Sequence, residues 1–184
     1  GLYGPGAGGY SLDSTKEEEI NDYLKRNNSP TPMLMGWGMS ELASTACLEL
    51  PECAKTLSSG IPLPMNTIAI FKPGTDIELS IGEEGEMCVS GPSIMQRYLN
   101  NKEKTAKIKM IHSDGTIWLH SGDIGYMDND GFIFYKGRIK RMIITSGYNV
   151  YPSHIEEVIE AHPAVLQCTV IGVPHPYKQE VAKA

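Results

Sequence analysis

Between Pro62 and Gly137 the chain is a series of short strand-like runs cut by turn signals, and this texture most narrows the folds open to it. The runs are "MNTIAIFK", "IELS", "GEMCVSG", "GTIWLHS" and "GFIFYKG". They are enriched in the β-branched and aromatic side chains that suit a pleated, half-buried surface. Pro73-Gly74, Asp114-Gly115 and Asp130-Gly131 punctuate them with dipeptides that reverse a chain. Closely spaced short strands predict a small antiparallel β-barrel or sandwich over residues 62–137, interrupted by one helical insertion, "NNKEKTAKIK".

The flanks read differently. "SLDSTKEEEINDYLKRN" predicts a helix, with Ser14 and Glu17 spaced as a capping box and Ile20, Tyr23 and Leu24 on one face. "TPMLMGW" predicts a short buried strand that stops at Gly36 and Gly38. After Gly137, "IKRMIITSGYNVYP" predicts a hairpin. "SHIEEVIEAH" predicts a helix with a second capping box, Ser153 to Glu156, and with Ile155, Val158 and Ile159 on one face. His162-Pro163 ends it, and "VLQCTVIGV" predicts a buried strand. The expected architecture is therefore α/β, assembled from α+β pieces, with a boundary near Arg138 that separates residues 1–137 from 138–184.

Charge and cysteine content exclude some partners. With 16 Lys+Arg against 22 Asp+Glu the formal charge is -6. That argues against a nucleic-acid or anionic-membrane surface, which needs a broad basic field, but allows one phosphate-bearing ligand held by a few local donors. Cys47, Cys53, Cys88 and Cys168 form no C-x-x-C pair, the pattern of reduced thiols in a cytoplasmic chain. No run reaches the roughly 18 apolar residues of a membrane helix. The chain opens on "GLYGPGAGGY" without methionine and stops at "QEVAKA" after a strand-like run, which suggests a fragment.

Single motifs leave alternatives open. "GPGAGG", from Gly4 to Gly9, fits G-x-G-x-x-G but follows no strand and precedes no Gly-Lys-Ser/Thr. It predicts a flexible turn, or in part residues added in cloning. "GWGMSE", Gly36 to Glu41, suits either a packed strand-to-loop turn or a ligand site. In the second case glycine admits a ligand to the backbone, Ser40 bonds a phosphate oxygen and Glu41 holds Mg²⁺. Asp123 in "SGDIG" is either a turn residue or a carboxylate for two ribose hydroxyls. Arg138 and Lys140 read on their own as a solvated strand edge, the usual fate of a short basic run. His112, His120, His154, His162 and His175 lack metal-ligand spacing and read as surface or ordinary packing residues. There is no G-x-S-x-G nucleophile elbow.

In order, these motifs resemble the adenylate-forming enzymes: acyl-CoA synthetases, luciferases and peptide-synthetase adenylation domains. "GWGMSE" is similar to their aromatic-Gly-x-Thr/Ser-Glu motif, and "GEEGEMCVSGPSIMQRYLNN" to the segment that follows. "WLHSGDIGYMDNDGFIFYKGRIKRMIITSGYNVYPSHIEEVIEAHPAV" is similar to their acid motif, hinge and entry to the small domain. The resemblance implies the distal part of a large domain, including a β-barrel, and then the first half of a small α+β domain. It implies an ATP-dependent acyl-CoA synthetase with a fatty or aryl acid, ATP and CoA as substrates and Mg²⁺ as the metal.

By the same resemblance Asp123 would bind the ribose of ATP or AMP, and Arg138 the ribose and phosphates. Trp37 would lie along the adenine and Tyr135 beside it, with Gly9, Gly36, Gly38 and Met39 also at the nucleotide. Ser40 would meet the phosphate and Glu41 the Mg²⁺. Lys140 matches the hinge, and Gly147 and Tyr148 the CoA channel. The phosphate loop would lie upstream of Gly1 and the catalytic lysine downstream of Ala184, so the piece alone is expected to be inactive. The rival readings are an adenylation enzyme that loads a carrier protein, and a non-catalytic nucleotide- or carbohydrate-binding β-module.

Overall fold

A computed structural model describes residues 5–8 and 14–184, which form a mixed α/β fold. The chain divides into two compact units, Gly1–Tyr135 and Lys136–Ala184.

The first unit begins with β1 (Gly6–Gly8), α1 (Ser14–Arg26), β2 (Leu34–Met39), β3 (Ser44–Leu48) and β4 (Ile61–Pro62). The four strands make one sheet in chain order, with β1 parallel to β2 and the rest antiparallel. Gly6–Gly8 thus form a strand, not a flexible turn, while Gly4 and Gly9 lie outside the described residues. A Cβ on Gly8 would lie 2.9 Å from the Gly36 carbonyl oxygen, so a bare backbone is what lets the two strands meet. Nor does β2 stop at its glycines: it runs through both, with a bulge between Trp37 and Gly38. A Cβ on Gly38 would sit 2.0 Å from the Ser44 carbonyl oxygen.

In α1, Glu17 accepts the Leu57 N–H at 3.2 Å. The side chain of Ser14 lies outside the described residues. Glu17 is buried and Leu24 half-buried, whereas Ile20 and Tyr23 of the expected apolar face are exposed.

Next come β5 (Thr67–Phe71), β6 (Gly85–Ser90), α2 (Lys102–Ile108), β7 (Lys109–Ile111), β8 (Ile117–Met127) and β9 (Ile133–Arg138). They form a five-stranded sheet of order β5-β6-β8-β7, with β9 also on β8. The α2 helix is the anticipated insertion, capped by Asn101, whose side chain accepts the Lys104 N–H. "IELS" adds only an isolated bridge, Phe71 to Glu78. Strand alternation splits the apolar residues between two clusters. Ile68, Ile70, Met87, Val89, Leu119 and Ile133 join Trp37, Leu42, Ala46 and Cys47 in the main core, while Ala69, Phe71, Cys88 and Trp118 form a second cluster.

The second unit continues with β10 (Ile143–Thr145), β11 (Tyr148–Val150), α3 (Pro152–Glu160), β12 (Ile171–His175) and β13 (Gln179–Lys183), in sheet order β11-β10-β13-β12. The hairpin β10–β11 turns on Ser146 and Gly147, with φ of 51° and 85°, the twist that a two-residue hairpin requires. In α3 the expected capping box is absent. Pro152 starts the helix, Ser153 Oγ donates to the Lys136 carbonyl, and Glu156 accepts from Arg141 and the Val170 N–H. Glu160 takes the Cys168 N–H. These carboxylates supply acceptors that a sheet partner would otherwise provide, so "VLQCTVIGV" is not one buried strand. β12 begins only at Ile171, which is exposed. Val158 is exposed as well, leaving Ile155 and Ile159 half-buried.

Candidate functional site

The end of β2, one tight helical turn (Ser40–Leu42) and the start of β3 fold into a corner beside β1. A cleft of about 630 Å³ opens there, lined among others by Gly8, Gly36, Trp37, Met39, Ser40 and Thr45. The corner is tight because Ala43 adopts φ 62°, with its N–H on the Ser40 carbonyl. Glycine at 36 and 38 answers first to packing. A Cβ at Gly36 would press on Leu48 Cδ1 at 3.0 Å and the Cys47 carbonyl oxygen at 3.1 Å.

Ser40 is exposed at the corner and Glu41 half-buried. Tyr98 O–H donates to Glu41 Oε1, and the Glu41 carbonyl accepts the Met95 N–H at 2.8 Å. Burial, then the hydrogen bond and charge of Glu41, push the Tyr98 hydroxyl up to about 12. It therefore stays a donor at neutral pH. The Lys104 ammonium stands 4.3 Å from the Tyr98 ring centre.

Asp123 lies inside β8, not in a turn, and is 4% exposed. Trp37 Nε1–H donates to its Oδ2 at 2.9 Å, which ties together two motifs 86 residues apart. Trp37 itself is buried in the main core, and Tyr135 packs against that core half-buried. The first unit thus brings together Gly36, Trp37, Gly38, Met39, Ser40, Glu41 and Asp123. Gly9 lies outside the described residues.

The remaining candidates belong to the second unit. Arg138 ends β9 and Lys140 occupies a single helical turn, Ile139–Arg141; both are exposed. Gly147 forms the hairpin turn, and beside it Tyr148 is 75% exposed.

Three positions that contact the candidate residues or their neighbours carry no motif signal of their own. Tyr98 sits in the quoted "IMQRYLNN" but reveals itself only through its contact with Glu41. Glu86 and His120 are buried partners, Oε2 to Nδ1 at 2.9 Å, and His120 Nε2 lies 2.9 Å from His112 Nε2. The two histidines are polar core members rather than surface residues. With Cys88, Glu86 and His120 form a buried group whose donor atoms lie within 4.8 Å of one another. Spacing along the chain hides them, because adjacent strands bring them together.

Comparison with known proteins matches residues 6–99 to the AMP-binding enzyme family and residues 154–184 to the AMP-binding enzyme C-terminal domain. The chain is 38% identical over 158 residues to an acyl-CoA ligase of Ajellomyces capsulatus, covering 84% of this chain and 27% of that one. It is 38% identical over 153 residues to a long-chain-fatty-acid–CoA ligase of Bacillus subtilis, covering 83% of this chain and 26% of the relative. The o-succinylbenzoate CoA synthetase of Bacillus subtilis, solved with its acyl-adenylate intermediate, superimposes with a TM-score of 0.82 at 31% identity. That alignment covers 96% of this chain and 34% of the synthetase.

Proposed function

Because this chain belongs to the AMP-binding enzyme family, we propose that it carries the nucleotide-facing half of the active site of an acyl-CoA synthetase. In this reading a carboxylic acid attacks the α-phosphate of ATP, giving an acyl-adenylate and pyrophosphate. The thiol of CoA then takes the acyl group and releases AMP. Residues 1–137 would be the distal part of the large domain and 138–184 the start of the small one.

The observation that carries the reading is the hydrogen bond from Trp37 to Asp123 behind the wall of the cleft. It orients a buried carboxylate through one oxygen, as a group that accepts ribose hydroxyls requires. Ser40 would bind a phosphate oxygen at the corner. Ser40 and Glu41 offer hydroxyl and carboxylate oxygens respectively, the hard donors that Mg²⁺ takes. When bound, that ion offsets charge on the phosphates. Tyr98 steadies Glu41 for this role.

Arg138 would supply a guanidinium to ribose and phosphates. Lys140 would be the hinge that exchanges the two half-reactions, and Gly147 and Tyr148 would border the path of the CoA arm. The relatives' names support a CoA ligase but differ in substrate, so the acid stays at the level of fatty or aryl carboxylates.

ATP–pyrophosphate exchange by the full-length enzyme tests the proposal, with acetate, medium- and long-chain fatty acids, benzoate and amino acids offered with and without CoA. Acid-dependent exchange followed by CoA-dependent thioester is the expected result. Exchange that never consumes CoA would shift the acceptor to a carrier protein, and absence of exchange would remove the ligase reading.

A further inference from the structure

Asp123 owes its position to an irregularity in β8. Against β6 the register runs Glu86↔Ile124 and then Cys88↔His120. Between those pairs β6 advances by two positions and β8 by four, so Ser121, Gly122 and Asp123 bulge out opposite Met87. Gly122 takes φ 75°, which only glycine adopts without strain. A bulge removes N–H groups from the ladder, and a buried N–H left unpaired is costly. Here the Gly122 N–H donates to Glu86 Oε1 at 3.0 Å, and the Asp123 N–H donates to Ser121 Oγ at 3.0 Å.

Glu86 is built for this task. It is 4% exposed, and its Oε2 also accepts the Gly74 N–H at 3.0 Å and faces His120 Nδ1 at 2.9 Å. Burial alone would raise its carboxyl. The hydrogen bonds from His120, Gly74 and Gly122 outweigh burial and hold it below its ordinary value. An ionised carboxylate only accepts, so Nδ1 of His120 carries the proton. One further proton then lies between the Nε2 atoms of His120 and His112, and His112 packs edge-on to Phe71 at 4.6 Å between ring centres. Cys88 stands within the same group, yet burial and then the Glu86 charge push its thiol well up. With three N–H donors already on Glu86, the group is a hydrogen-bonded brace rather than a cation site.

We propose that Glu86, braced by His120 and His112, is a positioning residue for nucleotide recognition: it clamps the Ser121–Asp123 bulge and so aims Asp123 toward Trp37 and the ribose. This rests on the reading of Asp123 as the ribose ligand. The clamp acts from behind the strand through the backbone at Gly122, while Trp37 holds the carboxylate itself.

The test measures binding of ATP and of 2′,3′-dideoxy-ATP by the full-length enzyme and by Glu86→Gln, His120→Gln and Asp123→Ala. Wild type is expected to prefer ATP by about tenfold or more, the worth of a hydrogen bond to a charged acceptor. Asp123→Ala erases that preference. Glu86→Gln, which keeps the shape but halves the acceptor capacity, should weaken ATP several-fold while leaving the dideoxy nucleotide nearly unchanged. A merely structural glutamate would weaken both alike, or neither, and either result overturns the proposal. His120→Gln reads the same ratio where Glu86→Gln does not fold, with equal loss for both nucleotides again decisive against the clamp. A wild type indifferent to the ribose hydroxyls would overturn the Asp123 reading itself, and the clamp with it.

Discussion

The indole of Trp37 donates to the carboxylate of Asp123 at 2.9 Å, joining a strand of the first sheet to a strand of the five-stranded sheet. Both residues are buried, so the bond works in a poorly screened setting and orders the carboxylate from one side. Trp37→Phe removes the donor while keeping an aromatic ring. The chain should lose about 2 kcal/mol of stability in urea unfolding, typical of a hydrogen bond to a charged group. Nucleotide affinity should fall as well. Unaltered ATP binding in a folded variant would separate Trp37 from the ribose site.

Gly38 and Gly147 make a contrasting pair. A methyl at Gly38 meets the Ser44 backbone oxygen at 2.0 Å, so β2 and β3 would have to part. Gly38→Ala is expected to cost at least about 3 kcal/mol, or to prevent folding. Gly147 has φ 85° with nothing within 4 Å of its would-be Cβ. There Ala adds only left-handed strain, about 1 kcal/mol. Thermal melts of the two variants should differ accordingly, and equal melts would mean that the β2–β3 approach relaxes at little cost.

Acid should loosen the Glu86 brace. Its folded-state carboxyl lies below the ordinary value, so the unfolded chain takes up the proton first as pH falls. The stabilisation is complete above the unfolded carboxylate value, about pH 4.3. It is lost as pH drops through the folded value. Circular dichroism across acid titration should therefore show wild type more stable than Glu86→Gln at neutral pH, with the gap closing in acid. A gap that widened in acid would reverse the sign.

Tyr98→Phe frees Glu41 from its phenolic donor without changing ring volume. If Glu41 holds the ion, the Mg²⁺ concentration needed for half-maximal exchange should rise several-fold, the equivalent of about 1 kcal/mol. The KM for the carboxylic acid should stay near wild type. An unchanged Mg²⁺ requirement would leave Tyr98 a packing residue.

Lys140 lies in the single helical turn between β9 and β10. Lys140→Pro fixes φ there. A hinge predicts that thioester formation suffers more than pyrophosphate exchange in the same preparation. Equal loss in both half-reactions would remove the hinge role.

The elements legible in the sequence are those whose cause is local. The hairpin of β10 and β11 follows from a Ser-Gly turn, α2 from its Asn101 cap, and β5, β6 and β9 from short β-branched runs between turn dipeptides. The "GWGMSE" and "SGDIG" motifs were visible too, because glycine beside acid is a local pattern. What the sequence left open was where buried polar groups find partners. Ser153 and Glu156 have capping-box spacing, but backbone groups of other segments, Lys136 and Val170, engage their side chains instead, and Glu17 accepts an N–H from Leu57, 40 positions away.

Sequence by itself determined the helices, the β10–β11 hairpin, most of the short strands between residues 62 and 137 and the family motifs, since periodicity, turn glycines and helix caps act over a few residues. Only tertiary structure decided that Gly6–Gly8 pair in parallel with β2, that β8 bulges at Gly122, and that Trp37 holds the Asp123 carboxylate while Glu86 holds the backbone beside it at Gly122. Those contacts span 36 and 86 positions of chain. They depend on strand register, and register is set by how whole sheets bury their faces rather than by any one residue's neighbours.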